Sequence, residues 1–217
     1  MKHVRHTFSA GDYNSAKQDY EQTWKTIDEI FYRLCRDYPT HSNRLAVTAK
    51  VVIIGRTYAT GIERHVSTAG TQGSSISQVV SLFLSHGKKI DRWLASLRQV
   101  AAPIASSDIR KILTVHALIL KLLSGLTIQS QSARTFVSKY LHFHNPAVPI
   151  YDNIADGFLP KLVRLRTNQI NAPAHADKTY AAYVSRFAKL YQSAAVQGVS
   201  VTVRLLDYYL IWKKENG

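Results

Sequence analysis

Apolar residues recur along most of this chain at intervals of three and four, the period of a helix with one buried face. Ile109, Ile112, Leu113, His116, Ala117, Leu120 and Leu123 fall at i, i+3, i+4, i+7, i+8, i+11 and i+14. Ala133, Phe136, Val137, Tyr140, Leu141 and His144 repeat the pattern, as do Tyr180, Tyr183, Phe187, Leu190 and Tyr191. Sustained strand alternation is hard to find, so the expected fold is all-α. Helices are expected over roughly 13–37, 42–66, 76–98, 107–123, 131–144, 153–166, 178–195 and 201–214. Pro39, the Ser/Thr/Gly stretch at 67–75, Pro103, Pro146 with Pro149, and Pro173 punctuate them. No internal repeat or low-complexity segment interrupts the chain, and 217 residues with 46% hydrophobic content suffice for one helical domain spanning 1–217.

Charge changes this picture. Against 14 Asp and Glu stand 28 Lys and Arg, a formal +14, and such a surplus calls for an anionic partner such as nucleic acid or an acidic membrane. The basic residues run from Lys2 to Lys214, so the field belongs to the folded body rather than to a tail. The longest apolar runs, near Val51–Ile54 and Leu118–Leu123, are too short for a bilayer span, and Lys121 interrupts the second. No apolar run follows the first eight residues as a secretory signal requires. A lone Cys35 forms no internal disulfide and fits a reducing cytoplasm. Nucleic acid is therefore the expected partner.

The stretch from Leu123 to Leu159 carries the chemistry. One helix ends near Gly125 and the next begins by Ser132, so a tight connector aims the second helix's first N–H groups outward, where a phosphate can sit. Pro146 and Pro149 then enforce an extended excursion that delivers Asp152 to the start of a further helix. With its NPAVPIYDNIA segment, the chain resembles the helix-hairpin-helix base-excision DNA glycosylase superfamily, in particular its oxoguanine-glycosylase-like branch. The resemblance covers about forty residues. It implies a hairpin near 107–144, a catalytic loop and helix near 145–166, and two helical lobes around a DNA cleft. It also implies double-stranded DNA carrying a modified base as partner, with glucosylated hydroxymethylcytosine of phage DNA as one expected target, and no cofactor.

Departure of a base leaves an oxocarbenium-like sugar, which a nearby carboxylate stabilises while water attacks. Asp152 is the candidate for that task, and because a helix N-terminus favours negative charge, electrostatic stabilisation is expected over strong general-base action. An ordinary N-cap is its plainer role. The family hairpin usually reads Leu-x-Gly-x-Gly, whereas here GLTIQSQ offers Gly125 and no second glycine. The matching positions Gln131–Arg134 also lack the nucleophilic lysine of bifunctional members, which implies a monofunctional, hydrolytic enzyme. Gly125, Thr127, Gln129, Ser130, Gln131 and Arg134 are the expected hairpin contacts to DNA, with Lys139 and His142 on a shared outward face further along.

Excision inside a duplex requires the nucleotide to be flipped into a pocket with aromatic walls. Tyr151, beside Asp152, and Tyr58, within GRTYATGIER, are the candidates for those walls, with a core position as the alternative for Tyr58. His142 and His144 lie about 200° apart on a helix and have no third ligand nearby, so no metal site is expected. Two other functions remain open on the sequence. One is a non-catalytic DNA-binding regulator using the same hairpin; the other is a helical ribonuclease using Arg110 and His116, although His116 falls on the buried stripe.

Overall fold

A computed structural model of the protein describes residues 7–62, 75–126, 128–166, 170 and 172–217. Ten α-helices and one π-helical turn make up its regular structure, with no strand among the described residues. They are α1 (Ala10–Thr23), α2 (Lys25–Asp37), α3 (Arg44–Val52), α4 (Ser75–Ser85), α5 (Gly87–Ser96), α6 (Ser106–Leu123), α7 (Ser130–His144), α8 (Asn153–Leu162), α9 (Lys178–Val196) and α10 (Val203–Asn216). The π-helical turn, Ile53–Thr57, continues α3. No helix is long and apolar enough to cross a membrane among the described residues.

The start signals are local. Ser9, Asn43, Asp152, Asp177 and Thr202 each accept a backbone N–H of the following helix's first turn, and each such cap contributes about 1 kcal/mol. Four expected helices are broken or shortened, and the 153–166 helix is one of them, ending at Leu162. The expected 13–37 helix divides at Trp24, whose ring stacks on Tyr58 at 5.6 Å. The expected 76–98 helix divides at His86, and a Cβ at the next residue, Gly87, would lie 2.9 Å from His41 Cβ, so close packing there admits only glycine. The expected 42–66 helix passes into the π-helical turn at Ile53 and leaves helical geometry by Tyr58, with 63–66 outside the described residues, as is most of the 67–75 loop.

Helix α7 is the centre of the molecule. Apart from Arg134, every side chain from Ser132 to Phe143 is buried, which is the signature of a helix enclosed on all sides. Helices α2 and α6 and the π-helical turn pack around it, while α10 packs on α1 and α8. His142 and Lys139 therefore do not share an outward, DNA-facing surface as expected. His142 is fully buried, bonded through Nδ1 to the Val148 carbonyl at 2.7 Å and through Nε2 to the Tyr32 hydroxyl.

Burial holds several of these histidines neutral. Desolvation lowers His116 and His142 to about 4, with hydrogen bonds to backbone carbonyls opposing the shift, and it also depresses His41 and His144. Because an unfolded histidine takes up its proton near 6.5, the stability these groups contribute is present above that value and is lost as pH falls toward 4. The loss is on the order of 3 kcal/mol for a group displaced by two to three units. Melting temperature should fall steeply from pH 7 to pH 4.5. His116→Phe should blunt that fall, since His116 Nδ1 is buried without a partner and its ring stacks on Tyr180 at 4.1 Å; an unchanged acid profile in this variant would refute the assignment.

Candidate functional site around Asp152

The loop from Asn145 to Asp152 is fastened at successive points. Asn145 Oδ1 accepts the Ala147 N–H at 2.8 Å, Tyr180 donates its hydroxyl to the Pro149 carbonyl at 2.7 Å, and the Tyr151 N–H donates to Ser138 Oγ at 2.9 Å. Asp152 thus arrives at α8 with little freedom, and its Oδ1 accepts the Ile154 N–H at 2.8 Å as the N-cap. Its other oxygen, Oδ2, lies 3.7 Å from Lys139 Nζ, an ion-pair distance too long for a strong hydrogen bond. Asp152 is both a cap and a pocket residue.

The pocket is a cavity of about 310 Å³ between Trp24, the π-helical turn, α7, the loop that ends at Asp152 and α10. Trp24, Tyr58, Tyr208 and Trp212 supply aromatic wall, and Asp152, Lys139, Arg204, Asp207 and Glu215 supply charge. Lys139, expected to be a solvated or phosphate-contacting lysine, is instead buried: Nζ donates to the Tyr58 carbonyl at 3.0 Å and lies 5.8 Å from the centre of the Tyr58 ring. Burial lowers its pKa, and the Asp152 and Asp207 carboxylates oppose that effect.

Beneath the pocket runs a charge network that sequence reading missed. Arg204 bridges Asp28 through Nε at 2.6 Å and Asp207 through a terminal nitrogen at 2.9 Å. Tyr20 and Tyr58 both donate their hydroxyls to Asp28. Burial pushes Asp207 up to about 7, with Arg204 opposing the rise and Asp152 adding to it. Burial opposes the charge of Arg204, but Asp28 and Asp207 outweigh it and raise its pKa. The available signal was the Arg204–Asp207 pair, one helical turn apart inside the apolar VRLLDYYLIW segment.

Of the two expected pocket aromatics, Tyr58 lines the cavity and Tyr151 does not. Although it adjoins Asp152 in sequence, Tyr151 is turned into the α7–α9 packing: its hydroxyl donates to Asp156 at 3.1 Å, Arg134 lies 5.2 Å from its ring centre, and Tyr183 is its edge neighbour at 5.4 Å. Extended backbone sends consecutive side chains in opposite directions, which accounts for the split.

The hairpin expectation meets a mixed outcome. Six residues, 124–129, join α6 to α7, and Gly125, Gln129, Ser130 and Gln131 are exposed there, whereas Thr127 lies outside the described residues. Gln129 stands at the cap position of α7 without a side-chain bond, so no side chain caps this end. Gly125 has no positive φ, and a Cβ there would meet only the Leu122 carbonyl at an ordinary 3.6 Å. Nothing in this turn demands glycine. Arg134 is held in a two-pronged pair with Asp177, at 2.8 and 2.9 Å, which neutralises it as a phosphate ligand.

Arg110 is exposed, but His116 is enclosed between the Tyr180 ring and the Arg134 carbonyl, so the pair offers no shared catalytic surface. Among the described residues, no group of three or more His, Cys, Asp or Glu side chains is placed to hold a metal ion. Comparison of the chain with protein-family models, with curated proteins and with solved structures finds no match.

Proposed function

We propose that the protein is a DNA glycosylase that flips a modified base out of duplex DNA and hydrolyses its N-glycosidic bond with the help of Asp152. The observation that carries this reading is a carboxylate, fixed at a helix N-terminus, facing an aromatic-walled cavity. That carboxylate suits a sugar that turns cationic as the base departs. Aromatic faces suit an unstacked base, and a volume near 310 Å³ is at the small end of ligand sites, the scale of one nucleotide unit rather than a strand. The formal +14 charge supplies attraction for the DNA backbone, and the uncapped first turn of α7 offers N–H groups to a phosphate. Glucosylated hydroxymethylcytosine in phage DNA is the first substrate to try, on the strength of the sequence resemblance.

The test is incubation with duplexes carrying natural and phage-modified bases, followed by assay of alkali-labile abasic sites. Excision of one class supports the reading; binding without abasic sites on any member points to a regulator that only holds DNA. Affinity should weaken steeply across a salt series, about tenfold or more between 50 and 200 mM if several phosphates are neutralised, and a flat series would remove the DNA-binding premise.

A second reading of the same pocket rests on Lys139. An amine whose pKa is lowered by burial is a potential nucleophile toward the sugar C1′. Its bond to the Tyr58 carbonyl and its pairing with Asp152 hold it as an ammonium, however, which favours the hydrolytic route. The expected product is an intact strand bearing an abasic site. A borohydride-trapped covalent adduct that disappears with Lys139→Met would transfer the nucleophile's role to the lysine.

A further inference from the structure

A larger cavity than the one at Asp152 lies elsewhere among the described residues. It encloses about 780 Å³ between α2, α5, the 39–40 segment and the C-terminal end of α7. The two cavities share no lining residue, and the contact between Tyr58 and Phe143, with ring centres 5.0 Å apart, separates them.

Three guanidinium groups border this second cavity. Arg33 and Arg36 lie one turn apart on α2, and Arg98 follows α5. Glu29 and Asp91 also line it, and Asp91 accepts the His41 backbone N–H at 3.1 Å and lies 2.6 Å from Nδ1 of that ring, which burial disfavours from taking a second proton, so three guanidiniums face two carboxylates. Behind the wall is Lys50, fully buried, whose Nζ donates to the Tyr38 carbonyl and lies 3.3 Å from His144 Nε2. Among the described residues no carboxylate is within ion-pair distance of it. A buried ammonium without a counter-charge is costly, and burial lowers the Lys50 pKa accordingly. His144 stands between this cation and the cavity. With Nε2 accepting from Lys50, its ring proton resides on Nδ1, leaving a donor on a cavity-lining side chain. Tyr32, Leu94, Phe143 and Pro146 form the apolar part of the wall.

We propose that this cavity is a second ligand site that takes a free mononucleotide, its phosphate held by Arg33, Arg36 and Arg98 and its planar ring set against Tyr32 and Pro146. Guanidinium forks match phosphate oxygens, aromatic faces accept a planar ring, and the volume is in the range of sites for whole small molecules. This inference stands apart from the glycosylase reading, since none of its residues belongs to the Asp152 cavity.

Calorimetric titration with 5′-dAMP, deoxyadenosine and inorganic phosphate tests it, on the wild-type protein and on Arg33→Ala/Arg98→Ala. Both arginines are exposed, so the double variant should melt like the wild type. The expected result is saturable one-to-one binding of dAMP, weaker binding of phosphate and none of deoxyadenosine. Affinity for dAMP should fall about tenfold for each arginine removed. Absence of dAMP binding to the wild type, an unchanged affinity in the double variant, or equal binding of deoxyadenosine would each overturn the proposal. Loss of duplex binding in the double variant, when the wild type binds no dAMP, would assign these arginines to the DNA track instead.

Discussion

Asp152→Asn should lose about a hundredfold or more in single-turnover base excision while keeping its fold and most of its affinity for duplex. The amide retains an oxygen for the Ile154 N–H, so the cap on α8 survives, and the stability cost is confined to the counter-charge lost from buried Lys139. What disappears is the negative charge beside the pocket, and with it the counter-charge 3.7 Å from Lys139. Asp156→Asn is the internal control. One turn further along α8, Asp156 accepts the Tyr151 hydroxyl at 3.1 Å and does not line the cavity, so its amide variant should stay active. Melting, duplex affinity and abasic-site formation on the best substrate separate the outcomes. Wild-type excision by Asp152→Asn would reduce Asp152 to a cap and leave the proposed chemistry without its carboxylate.

Arg204→Met should destabilise the protein by about 3–5 kcal/mol, because it leaves Asp28 and Asp207 buried without their shared cation. In a chain of this size that corresponds to a melting temperature lower by on the order of 10 °C. The sign of its pH dependence follows from Asp207, whose pKa stands at about 7 in the folded protein against 3.8 as a free carboxyl. The stability linked to its bound proton is fully present below about 4 and is lost as pH rises through 7. Removing Arg204, which opposes that upward shift, extends the loss to higher pH. The variant's deficit should therefore be larger at pH 8 than at pH 5. Adding Asp207→Asn should recover part of it, since contacting charges do not act additively. Equal melting of wild type and Arg204→Met at pH 8 would mean that the network is not coupled to folding.

Much of the helical framework was legible in the hydrophobic period. Helices expected at 107–123, 131–144 and 178–195 form at Ser106–Leu123, Ser130–His144 and Lys178–Val196. Breaks were not legible, because Trp24 carries no proline-like signal, and its contact with Tyr58 and the close approach of Gly87 to His41 arise only in the tertiary structure. The same limit governed the site. Asp152 could be found from its prolines and its place before a helix, and Tyr58 from its basic surroundings. Lys139 and His142 could not be placed, since a period defines a face but not whether a second face is also covered. One hint was present: from Ser130 to His144 the chain has no acidic residue, an unusual composition for a solvent-washed helix surface.

The π-helical turn at Ile53–Thr57 makes the pocket sensitive to chain length as well as to side chains. Such a turn accommodates one more residue per hydrogen-bonded loop than an α-helix, and here it sets the direction of Tyr58 and of the carbonyl that receives Lys139. Inserting a single codon within it would carry the chain on by one residue beyond the extra one that the turn already absorbs. Tyr58 would then swing about 100° around the helix axis, withdrawing both its ring and its carbonyl from the cavity although Asp152, Lys139 and every other charged residue remained in the gene.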